Sequence, residues 1–180
     1  VDDHQTEPLT TVRIYSDVST YEDDSLDVTY NATTNTYSAS GDVLTLIAGT
    51  ASSEIFEGTD ADDRIFAADG DDVLRGGAGD DVLVGGDGID LANYKDDTSD
   101  LTVDLSTGVA SSSGSGEDIL SEIENIAAGS GDDTLIGDSG DNRLSGGAGD
   151  DIFYGSDGND ELVGGTGTDT VNYGSETSAV

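Results

Sequence analysis

The stretch Gly76-Gly-Ala-Gly-Asp-Asp-Val-Leu-Val84 is followed at once by Gly85-Gly-Asp-Gly-Ile-Asp-Leu-Ala-Asn93, and both stretches share one nine-residue pattern. Glycine is favoured at positions 1, 2 and 4, aspartate at position 6 and a large apolar residue at position 8. A first array has four such units, which start at 58, 67, 76 and 85, and a second has five, which start at 128, 137, 146, 155 and 164. A constant phase over so many units indicates a repeat architecture rather than scattered Asp-Gly turns.

Positions 6 and 8 carry most of this pattern. Position 6 is acidic in every unit except one: Asp63, Asp72, Asp81, Asp90, Asp133, Asn142, Asp151, Asp160 and Asp169. Position 8 is large and apolar in every unit except the one with Ala92: Ile65, Leu74, Leu83, Ala92, Leu135, Leu144, Phe153, Leu162 and Val171. A degenerate unit, 49–57, precedes the first array with Glu54 and Phe56 at these two positions.

The composition excludes several classes of protein. The formal net charge of the 180 residues is −35, with 40 acidic residues against five basic ones, and this charge repels nucleic acid and anionic lipid while favouring cations. No apolar run is long enough to insert into a membrane. Without cysteine there are no disulfides or thiolate metal sites, and the lone His4 cannot make a zinc site. Such a composition is typical of disordered chains, but the strict period argues against disorder.

The nine-residue unit predicts an all-β parallel solenoid. Positions 1–6 are expected to form a tight turn, in which glycine allows positive φ and close approach, and positions 7–9 a short strand. Two units then make one coil, and successive coils stack as parallel strands about 4.7–4.9 Å apart. Position 8 faces inward from both sides and forms a thin core.

Five segments follow from this pattern. Residues 1–48 are predicted to be an N-terminal β cap or linker, with a leader at 1–9, strands at 12–14, 26–30, 36–37 and 43–47, and a hairpin turn at 31–35. Residues 49–93 are the first array, 94–127 a spacer and 128–173 the second array. Residues 174–180 are predicted to begin a further copy of the spacer.

The spacer has a pattern of its own. Leu101, Val103 and Leu105 alternate with polar residues, as in a half-buried strand, and a turn is expected at 106–108. Residues 111–116 are predicted to be a flexible loop of serine and glycine. The apolar stretch 119–126 is compatible with a helical turn or a strand, of which we favour the strand.

A longer repeat lies above the nine-residue one. Arg64 and Arg143, and likewise Tyr94 and Tyr173, stand at equivalent places 79 residues apart (143 − 64 and 173 − 94). The chain therefore reads as part of a tandem array. The two tyrosines, each at an array end, are predicted to plug the core of the coil rather than bind a ligand.

The stacking of coils would bring position-6 carboxylates into rows. Unit charges about 5 Å apart repel by about 3 kcal/mol at an effective dielectric near 20, which so thin a core would hardly offset along an array. A divalent cation between turns would convert this repulsion into ligation. Carboxylate and carbonyl oxygens, without histidine or cysteine, suit a hard cation, and irregular oxygen cages suit Ca²⁺ better than Mg²⁺.

The units resemble the RTX, or haemolysin-type, calcium-binding repeat, Gly-Gly-x-Gly-x-Asp-x-U-x, in which U is a large apolar residue. The resemblance covers 58–93 and 128–172 closely and 49–57 more distantly. It implies a right-handed β-roll in a bacterial protein that is exported by type I secretion and folds outside the cell on calcium.

The resemblance also implies the ligands, which are the position-6 side chains and the backbone carbonyls at positions 2 and 4. The carbonyls carried over are those of Thr59, Ala61, Ala68, Gly70, Gly77, Gly79, Gly86, Gly88, Gly129, Gly131, Asp138, Gly140, Gly147, Gly149, Ser156, Gly158, Gly165 and Gly167. Three departures from the repeat predict weaker sites: Asn142 at position 6, Ala67-Ala68 at the start of one unit, and Asp138 at position 2.

The function predicted is that of a calcium-binding structural module in a long secreted adhesin, matrix or surface-layer protein. The alternative is an accessory module of a secreted protease, lipase or epimerase whose catalytic domain lies outside this chain. A third hypothesis is an acidic mineral- or ice-binding surface. We expect no active site within the chain, which has one histidine, no cysteine and no H-E-x-x-H or G-x-S-x-G motif. Calcium ions are the predicted partners, together with further copies of the repeat or neighbouring chains in an extracellular assembly.

Overall fold

The computed structural model describes residues 29–31, 36–38 and 46–173, which form seventeen strands and no helix. The strands build two sheets that enclose a solenoid of about seven turns. The prediction of an all-β parallel solenoid of the β-roll kind is therefore confirmed. Among these residues no helix is long and apolar enough to cross a membrane.

Sheet 1 has eight strands, and their spatial order follows the chain. They are β1 (Thr29–Asn31), β2 (Thr36–Ser38), β4 (Ile55–Glu57), β6 (Val73–Arg75), β8 (Leu91–Asn93), β12 (Asn125–Ala127), β14 (Arg143–Ala148) and β16 (Glu161–Thr166). All neighbours from β2 onward pair in parallel.

Sheet 2 has nine strands in the order β3-β5-β7-β11-β10-β9-β13-β15-β17. Their bounds are β3 (Leu46–Ala48), β5 (Arg64–Asp69), β7 (Val82–Asp87), β9 (Thr102–Asp104), β10 (Val109–Ser112), β11 (Gly116–Ser121), β13 (Thr134–Ile136), β15 (Ile152–Tyr154) and β17 (Thr170–Asn172). The chain crosses between the sheets at each turn, so that two units complete one coil.

The register between coils is 18 residues, which is two units. Ile65 of β5 pairs with Leu83 of β7, and Leu135 of β13 pairs with Phe153 of β15. Position 8 therefore stacks on position 8 in each sheet. The side chain at this position points between the sheets because strand residues alternate faces.

The core consists mainly of these position-8 side chains. Ile65, Leu74, Leu83, Leu135, Leu144 and Phe153 are almost completely buried, as is the small Ala92. In the last coil Leu162 is only partly buried and Val171 is 41% exposed, because no further coil among the described residues stacks on β16 and β17. The predicted thin core is confirmed except at this end.

Four strands are longer than the three residues predicted. The strands β5, β7, β14 and β16 have six residues each and continue through positions 1–3 of the following unit. The ladder continues there as well, since Ala68 pairs with Gly86 and Gly147 with Gly165. The division into a six-residue turn and a three-residue strand is therefore wrong in these units, because the extended backbone of positions 1–3 finds a partner one coil away.

The spacer belongs to the same two sheets. The strand β11 stacks in parallel on β7, and β12 stacks in parallel on β8, so residues 116–127 form a further coil. The strand predicted around Leu101 to Leu105 is confirmed as β9. The stretch 119–126 is extended rather than helical, as favoured, but it is divided between the end of β11 and the start of β12, and 122–124 belong to no strand. The flexible loop predicted at 111–116 is wrong, because β10 and β11 form an antiparallel hairpin whose connection is only 113–115.

The strands β9 and β10 are an insertion in sheet 2 alone. The strand β10 pairs antiparallel with both β11 and β9, and β13 then resumes the parallel stack on β9. Three strands therefore separate β7 from β13 in sheet 2, whereas only β12 separates β8 from β14 in sheet 1.

The N-terminal segment is described in part. The strands β1 and β2 form an antiparallel hairpin in which Thr29 pairs with Ser38, as predicted, and β2 stacks on β4. The strand β3 overlaps the end of the stretch predicted at 43–47 and stacks on β5. The predicted leader at 1–9, the strand at 12–14 and the spacer copy at 174–180 lie outside the described residues.

Candidate metal sites

The position-6 side chains lie in two rows, because the residue before each strand is stacked with its counterparts in the neighbouring coils. The first row precedes the strands of sheet 1 and contains Glu54, Asp72, Asp90, Glu124, Asn142 and Asp160. The second row contains Asp63, Asp81, Asp133, Asp151 and Asp169, which precede strands of sheet 2, and Asp118, which lies within β11 one residue before the pairing of Ile119 with Val82. The structure thus brings all nine predicted position-6 residues into these rows and adds Glu54, Asp118 and Glu124.

In most position-6 residues one carboxylate oxygen links neighbouring coils. The backbone N–H of Asp63 donates to Oδ1 of Asp81 over 2.8 Å, and the N–H of Asp72 donates to Oδ1 of Asp90 over the same distance. In the second array the N–H of Asp133 donates to Oδ1 of Asp151 over 2.9 Å. These bonds hold the carboxylates inside the turns, where they are shielded from water.

The other carboxylate oxygen accepts no hydrogen bond in five of these turns. Within the described part of the chain, the buried atoms of this kind are Oδ2 of Asp72, Asp81, Asp90, Asp133 and Asp151. A buried polar atom without a partner costs about 1–3 kcal/mol, and a charged one costs more. These five oxygens lie at equivalent positions in five turns, and a bound cation would give each of them a partner. The residues present therefore fit metal ions.

The glycines of the turn keep space around these oxygens. A Cβ on Gly76 would collide with Oδ2 of Asp81 in the same turn. Gly77 has φ 111°, and a Cβ there would collide with the carbonyl oxygen of Thr59 in the preceding coil. Glycine at positions 1 and 2 therefore lets carboxylate and carbonyl oxygens of two coils approach one another.

Many of the predicted carbonyls lie at this contact between coils. Ten of them face the place where a Cβ would stand on a glycine of the next coil: Thr59, Ala61, Ala68, Gly70, Gly79, Gly129, Gly131, Gly140, Gly147 and Gly149. The remaining eight predicted carbonyls occupy the same positions in their own units: Gly77, Gly86, Gly88, Asp138, Ser156, Gly158, Gly165 and Gly167. Outside the strand ladders, two of the ten accept backbone hydrogen bonds: Thr59 from Ala78 and Gly129 from Ala148.

Carboxylates alone would not complete a site. No group of three or more acidic or histidine side chains that could hold a metal ion occurs among the described residues. Any ion must therefore take most of its ligands from backbone carbonyls. The turn supplies these in number, and calcium accepts mixed carboxylate and carbonyl cages of six to eight oxygens.

The carboxylates of the turns resist ionisation when no cation is bound. Burial is the main cause that raises the pKa of Asp81 to about 7; the hydrogen bond from Asp63 opposes it, and the neighbouring carboxylates of Asp118 and Asp63 add to it. Burial likewise raises the pKa of Asp72 and of Asp90 to about 6. A bound cation would reverse this preference, because an opposite charge nearby favours the charged form.

The sequence pattern missed two acidic residues of the spacer. The N–H of Asp81 donates to Oδ1 of Asp118 over 2.9 Å, and the N–H of Asp90 donates to Oε2 of Glu124 over 2.8 Å. Asp118 could have been found, because 113–121 has glycine at positions 2 and 4, aspartate at 6 and leucine at 8. Glu124 carried no such signal, since only six residues, 122–127, form its unit.

Further carboxylates at position 5 lie outside both position-6 rows, and the sequence pattern missed them as well. Oδ1 of Asp62 accepts the N–H of Asp80 over 2.9 Å, and Oδ1 of Asp132 accepts the N–H of Asp150 over 2.9 Å. These bonds are exposed, so these carboxylates tie coils together at the surface.

Comparison with protein families agrees with the geometry. The family model described as the RTX calcium-binding nonapeptide repeat (4 copies) matches residues 57–92, 118–153 and 136–171. The chain belongs to the RTX calcium-binding repeat family. One RTX match begins at Asp118, within the spacer, where the structure also places a coil of the roll. No curated protein matches the chain. The RTX family establishes this chain as a calcium-binding structural module.

Proposed function

We propose that this RTX module folds on binding extracellular calcium and forms a structural segment of a long secreted adhesin, matrix or surface-layer protein. The observation that carries the proposal is the set of five buried Oδ2 atoms without hydrogen-bond partners, which belong to Asp72, Asp81, Asp90, Asp133 and Asp151. The proposed ligands are these carboxylates with the turn carbonyls at positions 2 and 4.

The turns of Asp63 and Asp160, toward the ends of the rows, have the same kinds of ligand and bind calcium with lower affinity. Oδ2 of Asp63 accepts a hydrogen bond from the backbone of Thr59, and Oδ2 of Asp160 accepts one from the hydroxyl of Ser156. Oδ1 of Asn142 accepts the N–H of Asp138, and its amide nitrogen donates to the carbonyl of Glu124. Asn142 brings no charge, so its turn is the weakest of the predicted sites.

The charge of the chain makes folding depend on the cation. The folded chain must hold a net charge of −35 together with a thin core, to which each strand contributes little more than one buried side chain. Since a site made from two coils exists only in the folded chain, the free energy of calcium binding contributes to folding. A chain of this kind stays unfolded where calcium is scarce and folds where it is abundant, which supports export before folding.

The alternative, an accessory module of a secreted protease, lipase or epimerase, has less support. The 79-residue spacing of Tyr94 and Tyr173 favours a tandem rod, whose partners would be further copies of the repeat or neighbouring chains. We assign no catalytic role to the chain, because its turn carboxylates are accounted for by cation ligation. No nucleic-acid or membrane partner is proposed for a surface so acidic.

Removal of calcium tests the proposal. We expect far-ultraviolet circular dichroism to show β structure in millimolar calcium and its loss on addition of excess EGTA, with recovery on addition of calcium. Mg²⁺ at the same concentration serves as the control and should restore little of the signal. A spectrum that EGTA leaves unchanged would contradict a fold that depends on calcium.

A further inference from the structure

Asp118 differs from the other buried position-6 carboxylates in what its second oxygen contacts. The side chain is completely buried, and its Oδ1 accepts the N–H of Asp81 as in a regular turn. Its Oδ2, however, accepts a hydrogen bond from the hydroxyl of Tyr94 over 2.8 Å. In the turns of Asp81 and Asp133 the corresponding oxygen has no such partner.

The position of Tyr94 is held by its own surroundings. Its N–H donates to the carbonyl of Ala127 over 2.7 Å, and its side chain is only 6% exposed. Three residues later the carboxylate of Asp97 accepts the hydroxyl of Ser112, which anchors the segment after Tyr94 to the β10–β11 hairpin. These contacts therefore fix the phenol of Tyr94 in position beside Asp118.

A phenol at this place excludes a cation. The hydroxyl proton is directed at the oxygen that a metal ion would need, and its donor is a buried side chain from another segment, whereas the donors to Oδ2 of Asp63 and Asp160 belong to the same turn. Beyond the antiparallel strand β10, the strand β9 offers no carboxylate at this position either, since Leu101 precedes β9 and its N–H donates to Oδ1 of Asp133 over 2.9 Å. The second row of carboxylates is thus interrupted between Asp118 and Asp133.

We infer that the turn 113–118 holds no calcium and that the Tyr94 hydroxyl takes the place of the ion. The solenoid then consists of two calcium-loaded arrays. Between them, in the row of carboxylates beside sheet 2, lies one turn without a metal ion, which we call the metal-free joint. This inference rests on the proposed function, since it assumes that the regular turns bind calcium. On the opposite edge Asn142, whose amide donates to the backbone carbonyl of Glu124, brings no charge to the same junction.

Counting ions in two matched variants tests the inference. Asp81→Asn and Asp118→Asn change neighbouring residues of one row by the same single atom. In Asp118→Asn the new amide can donate to the Tyr94 oxygen, so we expect the number of bound calcium ions to equal that of the wild type. In Asp81→Asn we expect the loss of at least one ion. Equilibrium dialysis with metal analysis gives both counts.

The outcomes separate the two proposals. A wild-type chain that binds no calcium contradicts the proposed function. A wild-type chain that binds calcium, with equal losses of ions in the two variants, contradicts only the metal-free joint, because Asp118 would then be a ligand like Asp81.

Tyr94→Phe provides a second test, in which the ring remains and the hydroxyl is removed. The buried carboxylate of Asp118 then loses its donor, so we expect the calcium concentration at half-maximal folding to rise roughly threefold or more. Tyr173→Phe is the matched control, since Tyr173 is the equivalent residue 79 positions later and is 70% exposed. An equal midpoint for the two variants would overturn the assignment.

Discussion

At the scale of the residue, the turn requires glycine where a Cβ atom would collide with its neighbours. Gly77 and Gly140 stand at positions 2 and 4 of different units, and they make very different demands. A Cβ on Gly77 would meet backbone at a φ of 111°, whereas a Cβ on Gly140 would come only within 3.2 Å of a carboxylate oxygen of Asp138. The pattern alone treats both as equivalent.

Gly77→Ala should therefore destabilise the calcium-loaded fold by about 1–3 kcal/mol, because the side chain forces a conformation that only glycine adopts easily. Gly140→Ala is the control and should cost much less, since the end of a flexible side chain can move. Chemical denaturation in saturating calcium measures both free energies of unfolding. Equal losses would show that the clash at Gly77 is relieved by a shift of the backbone.

The two tyrosines also show what residue patterns leave open. Both were predicted to plug the core, and the prediction is confirmed for Tyr94 but wrong for Tyr173, which is 70% exposed. The reason lies in the surroundings, because Tyr94 is covered by the spacer coil and described residues cover Tyr173 far less. The hydrogen bond from Tyr94 to Asp118 had no signal in the sequence, since it joins residues that only the fold brings together.

At the scale of the element, the nine-residue phase predicted every coil in which the phase is unbroken. Positions 6 and 8 marked the turn and the buried face correctly in both arrays, except that position 8 is partly exposed in the last coil. The prediction failed where the phase breaks, in the spacer, because the unit 122–127 is three residues short and β10 runs antiparallel. Pairing of β11 with β7 depends on packing of Leu120 against Leu83 in the ladder, which no local pattern reveals.

Coupling between elements predicts a local effect for Asp81→Ala. Each coil contacts mainly its neighbours, so removal of this ligand should weaken the first array more than the second. Amide hydrogen exchange in limiting calcium should show faster exchange in 58–93, with 137–172 close to the wild type. Equal loss of protection in the two arrays would mean that the rod folds as one cooperative unit.

At the scale of the whole molecule, the pKa shifts predict how pH acts on the calcium-free chain. Burial raises the pKa of Asp72, Asp90 and Asp133 to about 6 and that of Asp81 to about 7, from 3.8. The folded state therefore binds more protons than the unfolded state between about pH 4 and pH 7. Its stability falls as pH rises through this window.

In EGTA we therefore expect β structure to increase as pH is lowered from 8 to 5, as followed by circular dichroism. In the presence of calcium the effect has the opposite sign, because protons compete with the cation for the same carboxylates and the midpoint for calcium should rise. A calcium-free chain whose spectrum does not change with pH in this range would contradict the raised pKa values.

The insertion of β9 and β10 in sheet 2 alone has a consequence for the path of a longer polypeptide. Two additional strands lengthen one face by about 9–10 Å at the usual spacing, while the opposite face gains nothing. We expect such a difference in length between the two sheets to curve the solenoid axis toward sheet 1, the shorter side. If the insertion recurs every 79 residues, the bends add in a constant sense, and the filament describes a coil of its own rather than a straight line.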